Sequence, residues 1–277
     1  MKILINLKNN FFLKLKLILT FLILIPIYIL IFFLRSIIKI KFGNIDITRI
    51  GHSLNYELYK LYKKENKDFV IWFMNEPICN LQLYNMFKRN YFFFKKFYII
   101  YNTTLFFSKY FKFLKKIIYE IDLYDYKNYL EKKSIQFDFT KDEFIHGNNL
   151  LKKIKISKNA KIVCINIRDD MYLKKNFPNK NFSYQNYRDS NIENFIPIIK
   201  KLLKKGYFVI RMGKNVKKKM KIKNQNFLDY PFSKFRSDFM DIFLVRKCNF
   251  YIGSNTGLDC LAIIFRKPLL SVNMLPI

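Results

Sequence analysis

One unbroken apolar block near the start of the chain is followed by shorter apolar runs separated by polar turns. The block, residues 17–34 (LILTFLILIPIYILIFFL), carries no charge and a single threonine, Thr20. As an α-helix it would rise roughly 27 Å, just enough to cross a bilayer. Pro26, in mid-run, is tolerated in a membrane helix as a kink. The run is long for a signal peptide and no small-residue cleavage site follows, so residues 1–36 are expected to be an uncleaved membrane anchor. Lys2, Lys8, Lys14 and Lys16 precede it, while Arg35, Lys39, Lys41 and Arg49 follow. The positive-inside rule therefore ties, leaving both a true span and a helix embedded from the cytoplasmic face open.

Behind the anchor, the pattern predicts strands at 45–50, 69–73 and 97–101, with a turn at 51–53 and helices at 54–64, 81–87 and 105–119. Residues 126–151 are polar, and Gly147-Asn148-Asn149 reads as a turn. A domain boundary is placed near 150. Beyond it, the β-branched run 162–167 (IVCINI) suits a strand buried on both faces. Ser190 and Glu193 resemble a capping box before an amphipathic helix closed by Gly206. Pro197 means that this helix either starts later or kinks. Strands at 207–211, 250–252 and 269–272 alternate with helices around 239–243 and 258–265. Such alternation predicts parallel βαβ units, hence an α/β chain with two Rossmann-like domains, 37–150 and 151–277.

Composition changes this picture less than it first suggests. Lys+Arg 51 against Asp+Glu 20 gives a net charge of +31, which points to nucleic acid or an anionic membrane. Yet 42 of the 51 are Lys, and Asn, Ile, Phe and Tyr are also abundant, as A/T-rich codons would produce. The lysines are spread along the whole chain, which argues against a nucleic-acid partner. Arginine is scarce and therefore informative. Six of the nine (Arg168, Arg188, Arg211, Arg236, Arg246, Arg266) fall in the last 110 residues, and a guanidinium grips phosphate or carboxylate bidentately. Cys79, Cys164, Cys248 and Cys260 show no metal-binding spacing, so neither zinc nor a disulfide framework is expected.

Ligands of open α/β sheets sit beyond the carboxyl ends of the strands. Four constellations fall there. Gly51-His52 offers close backbone approach and a candidate general base in His52, or merely a helix-capping histidine. Arg168, just past the 162–167 strand, would reach a phosphate or form a surface ion pair; Asp169 beside it would orient it or stay solvated. Arg211 and Gly213 repeat the same geometry one strand later. Gly253-Ser254-Asn255-Thr256-Gly257 leads into a helix N-terminus, where unpaired N–H groups can cradle a diphosphate or simply be capped. Asp238 and Asp241, one helical turn apart, could hold a ribose or favour their helix start. No D-x-D occurs, which disfavours a metal-dependent transferase; no metal or cofactor is expected.

Several segments in order resemble one uncharacterised bacterial family of glycosyltransferase-like proteins of GT-B type. They are R-I-G-H at 49–52, N-I-R-D-x-x-Y at 166–172, Y-R-D-S-N-I at 187–192, G-Y-F-V-I-R-M-G at 206–213, D-Y at 229–230, R-S-D-F-x-D-I-F-L at 236–244 and G-S-N-T-G at 253–257. The resemblance covers roughly residues 45–277. Residues 166–172 are also similar to the H-x-R-x-x-D motif of α1,2/α1,6- and protein-O-fucosyltransferases, with Asn166 where that motif has histidine. On that likeness Arg168 would contact the donor diphosphate. The family continues well past the last residue of this chain, so the resemblance implies a shortened C-terminal domain.

The expectation is a membrane-anchored GT-B-like glycosyltransferase with its soluble part facing the cytoplasm, where nucleotide sugars are found. It would move a sugar from a nucleotide-sugar donor to a cell-surface polysaccharide or lipid-linked acceptor. His52 is the candidate base, and Arg168, Asp169, Arg211, Gly213, Asp238, Ser254, Asn255, Thr256 and Gly257 are the candidate donor-binding residues. The competing expectation is an inactive membrane protein that kept the fold.

Overall fold

The computed structural model describes residues 11–63, 68–121 and 124–274; Lys2, Lys8 and Lys64, named above, lie outside the described residues. Its strands form two all-parallel sheets. β1 (Ile40–Ile45), β2 (Phe69–Met74) and β3 (Phe93–Phe94) lie in the order β1-β2-β3. β4 (Ile162–Asn166), β5 (Phe208–Met212), β6 (Phe227–Asp229), β7 (Phe250–Gly253) and β8 (Leu269–Ser271) lie in the order β6-β5-β4-β7-β8. The α/β expectation is met. Every residue of β4 and β5 is buried, as in the central strands of a parallel sheet covered on both faces.

Several expected elements need correction. The first strand comes earlier than 45–50: the chain leaves the sheet at Asp46, whose Oδ1 accepts the Thr48 N–H at 3.0 Å and Oγ1–H at 2.7 Å. That turn breaks the strand and leads into a 3-10 turn, Ile50–His52. Residues 97–101, read as a strand, belong to helix Tyr98–Phe107, which packs against the N-terminal helix Phe11–Leu34. The expected helix over 105–119 breaks after Phe107 and resumes only as Lys112–Ile117. Gly147-Asn148-Asn149 is no turn but the middle of helix Lys141–Lys153, started by a full Thr140–Glu143 capping box. A Cβ on Gly147 would lie 2.3 Å from the Phe243 ring, so the glycine serves close packing. Pro197 stands in the first turn of helix Ile196–Lys204, which therefore starts late rather than kinking. Asn191, not Ser190, caps the preceding turn. β6 was not anticipated.

The two sheets share one buried cluster, running from Trp72, Met74 and Phe87 to Cys164, Ile210 and Phe243. Polar groups fasten the same seam. Buried Glu57 accepts from Arg266 at 2.9 Å, and Arg246 grips Asp138 through two bonds of 2.8 Å.

Candidate functional site

In the five-stranded sheet the strand order reverses between β4 and β7, and such a switch point opens a crevice at the carboxyl ends. The sequence builds this crevice from two loops tied together. Ser254 Oγ donates to the Asn166 carbonyl at 2.9 Å and accepts the Arg168 N–H at 2.8 Å, so buried Ser254 is a staple rather than a wall. The Asn166 amide donates to Thr256 Oγ1, and Thr256 with Asp259 forms a capping box on helix Gly257–Ile264. The helix start is thus already partly occupied by its own carboxylate, which narrows its use as an anion cradle. A Cβ on Gly257 would lie 2.8 Å from the Gly51 nitrogen. Only glycine here lets the turn that carries His52 reach the β7 loop.

Between these turns lies a cavity of about 360 Å³. Its walls include His52, Arg168, Asp169, Gly213, Asn255, Thr256 and Gly257, together with Arg49, Arg188 and Lys214. Gly213 has φ +141, a conformation that L side chains rarely adopt, and turns the chain so that Lys214 follows into the wall. Asp169 is held by its own loops, its oxygens accepting the N–H groups of Met171 at 3.0 Å and Lys217 at 2.9 Å. Cys79 and Cys260 also line the cavity, but burial pushes their thiols up to about 12 and about 11, keeping them protonated and unreactive.

The arginines differ in how far their charge is already met. Arg168 Nη1 is paired with the Asp189 carboxylate and donates to the Gln185 carbonyl at 2.9 Å. Burial lowers its pKa, and the Asp189 charge works against that shift. Arg188 donates to Gln185 Oε1 at 2.5 Å and to the Asn255 carbonyl at 3.3 Å, and Arg49 lies over the rings of Phe177 and Phe182. Among the described residues neither Arg188 nor Arg49 is paired with a carboxylate. These two are therefore the cations of the wall most available to an anion. Neither is among the donor-binding residues expected from the sequence; the signal that points to Arg188 is arginine scarcity.

On the first-sheet side, His52 Nδ1 stands 3.0 Å from Asp46 Oδ2, at ion-pair distance though not aligned as a hydrogen bond. Burial raises the Asp46 pKa, but contacts from His52 and Thr48 outweigh it and hold the carboxyl well below the usual range. Asp46 thus stays charged beside Nδ1, which leaves Nε2 as the nitrogen able to accept a proton. The sequence does not point to Asp46, because it lies six positions before His52 and only the 46–48 turn folds it back.

No family model and no curated sequence matches this chain. Among solved structures, it is similar to a family 9 glycosyl transferase from Veillonella parvula, 10% identical over 84% of this chain and 80% of that one, with a TM-score of 0.51. The chain has a glycosyltransferase-like fold. The ADP-heptose lps heptosyltransferase II of E. coli is 12% identical over 84% of each chain, with a TM-score of 0.42. Neither the uncharacterised family nor the fucosyltransferase motif is met in these likenesses.

Besides Ser254, two expected site residues, Arg211 and Asp238, fall outside the cavity of this glycosyltransferase-like fold. Arg211 is fully buried, its Nη1 donating to the Lys218 carbonyl at 2.6 Å and to Asp229 Oδ1 at 3.2 Å across the β5–β6 pair. It is a strand residue, and its side chain stays on the sheet instead of reaching past the strand end. Asp238 accepts the Leu81 N–H at 2.9 Å and pairs with Lys214 and Arg236 at 3.2 and 3.0 Å, so it ties the two halves together.

Asp238 carries a pH prediction. Burial raises its pKa, but the Leu81 N–H and the Lys214 and Arg236 charges outweigh it and depress the folded value. The stability it contributes is present above the unfolded aspartate range, about 3.9, and is lost as pH falls through the lower folded value. The melting-temperature gap between wild type and Asp238→Asn should therefore shrink as pH drops from about 6 toward 3. A gap that widens on acidification would contradict the tie.

Proposed function

We propose that this chain is a glycosyltransferase that moves a sugar from a nucleoside-diphosphate donor to an acceptor hydroxyl. The observation that carries this reading is the switch-point cavity, lined by His52 and by Arg49 and Arg188, neither of which is paired with a carboxylate among the described residues. The fold likeness supports it.

In this reading the donor's diphosphate lies against Arg188 and Arg49, beside Gly213, Asn255, Thr256 and Gly257. Arg168, paired with Asp189 and bonded to Gln185, positions the loop that presents Arg188. The acceptor hydroxyl gives its proton to His52 Nε2 as its oxygen bonds to the anomeric carbon. The bond to the nucleoside diphosphate breaks, and the arginines stabilise the negative charge that leaves. Arg49 and Arg188 supply the positive charge that a cation would otherwise bring to the diphosphate, so donor binding should not depend on a divalent cation. The acceptor belongs to a cell-surface polysaccharide or a lipid-linked glycan, with the donor reached from the cytoplasm.

Titrating nucleoside diphosphates into wild type and Arg188→Ala tests the site. A charge-assisted bond is worth about 1.5–3 kcal/mol, so affinity should drop roughly 10- to 150-fold with an unchanged melting temperature. Equal affinity in Arg188→Ala and Arg49→Ala would remove the basis for the donor assignment.

A further inference from the structure

We infer that helix Phe11–Leu34 lies in the plane of a single bilayer leaflet and does not cross the membrane. It forms one lipid-facing surface with the aromatic segment that follows helix Tyr98–Phe107. This inference is independent of the proposed chemistry.

The helix is 24 residues long and apolar enough to span, which composition alone would favour. Its packing argues otherwise. Leu24, Tyr28 and Ile31 are buried against Phe42 of β1, Phe73 of β2, and Tyr101, Leu114 and Ile117. Phe21 stacks on Phe107 and Phe111 at 4.0 and 5.6 Å, and Tyr28 Oη bonds Thr104 Oγ1 at 2.8 Å. These contacts run from the middle of the helix, at Phe21, to its last turn, at Ile31. In a helix of about 36 Å standing upright, Phe21 would lie about 15 Å from the Phe11 end, near the bilayer centre. The parallel sheet and exposed Lys109, Lys112, Lys115 and Lys116 would then be drawn into hydrocarbon. Charged side chains and loop backbone are poorly tolerated there.

Laid flat, the same structure is consistent. The side opposite Leu17, Leu24, Tyr28 and Ile31 presents Phe12, Leu15, Leu19, Leu22, Leu30 and Phe33, all exposed and without a charge. Exposed Tyr110 and Phe111 extend this surface, and the groove between Phe21, Phe32, Phe111 and Phe113 has an almost wholly apolar lining. Lys14, Lys16, Arg35, Lys109 and Lys112 flank it, all exposed. Apolar side chains rimmed by cations fit an anionic leaflet, the chains entering the acyl region and the lysines meeting phosphate headgroups.

The test uses the full-length protein with vesicles of phosphatidylcholine and phosphatidylglycerol. Trp72, the only native tryptophan, is buried and serves as a constant background. Tryptophan is introduced singly as Phe12→Trp, Leu22→Trp, Phe33→Trp and Phe111→Trp, and its depth is read by quenching with lipids brominated at different acyl positions. Similar shallow depths at all four positions are expected. Deep quenching of Leu22→Trp, with Phe12→Trp and Phe33→Trp shallow and Phe111→Trp unquenched, would overturn the inference in favour of a span. Self-association without vesicle binding would overturn it in favour of a second copy covering this face. Tyr110→Glu, at an exposed site outside the stack on Phe21, should reduce vesicle retention several-fold without altering the melting curve. Unchanged retention would remove the aromatic segment from the surface.

Discussion

Replacing His52 with alanine should lower turnover of the proposed transfer by about 10²- to 10⁴-fold, the range that a positioned general base contributes. Donor affinity should change little, because the diphosphate contacts proposed above come from the Arg49 and Arg188 side chains and not from the imidazole. Asp46→Asn keeps the size of the side chain but removes the charge 3.0 Å from Nδ1. It should also slow turnover, since the imidazolium formed on proton uptake loses its stabilising partner. The fold should tolerate His52→Ala, because the ring is partly exposed and forms no part of the buried clusters. The measurement is kcat with saturating donor, set beside nucleotide affinity and a melting curve for each variant. Full turnover in His52→Ala would end its role as base and leave Asp46 as a structural turn residue.

Arg211→Met should act on folding and leave nucleotide recognition intact. The guanidinium is fully buried against Asp229, whose carboxyl burial already pushes up in pKa. Removing one partner of a buried pair costs about 3–5 kcal/mol, because the other charge is left unmet. The bond to the Lys218 carbonyl, which holds the loop after β5, is lost as well. Arg211→Met with Asp229→Asn should recover part of that loss, since asparagine still accepts the Met220 N–H that Asp229 accepts at 2.7 Å. Denaturant unfolding of the single and double variants measures this, with nucleotide affinity taken on the folded protein. An unchanged unfolding midpoint with lost affinity would return Arg211 to the donor site.

The elements that the sequence made legible are those whose signal is local. The β-branched run of β4 needed no partner to be recognised, because such short apolar stretches suit a strand buried on both faces. Gly206, with φ +79, closed its helix as expected. The parallel α/β class followed from alternation, and the loops beyond β4 and β7 could be chosen as the site because strand polarity determines where a crevice opens. His52, Arg168, Asp169, Gly213 and residues 255–257 reached the cavity on that reasoning.

Direction and pairing were decided elsewhere. Arg168 and Arg211 look alike as arginines near strand ends, yet one lines the cavity and the other is sealed beside Asp229. The difference lies in β6, a three-residue strand with no periodicity long enough to read. Asp46 became the partner of His52 only through a turn stabilised by Thr48, and Asp238 became a tie only because helix Leu81–Asn90 arrives beside it. The apolar block made one long apolar helix legible, since hydropathy is a property of the residues themselves. Which of its faces is left exposed depends on Phe107, Phe111 and Thr104, some eighty residues away in the chain. Hydrophobicity is additive along a sequence, whereas the direction of a side chain and the identity of its partner depend on segments brought together only by folding.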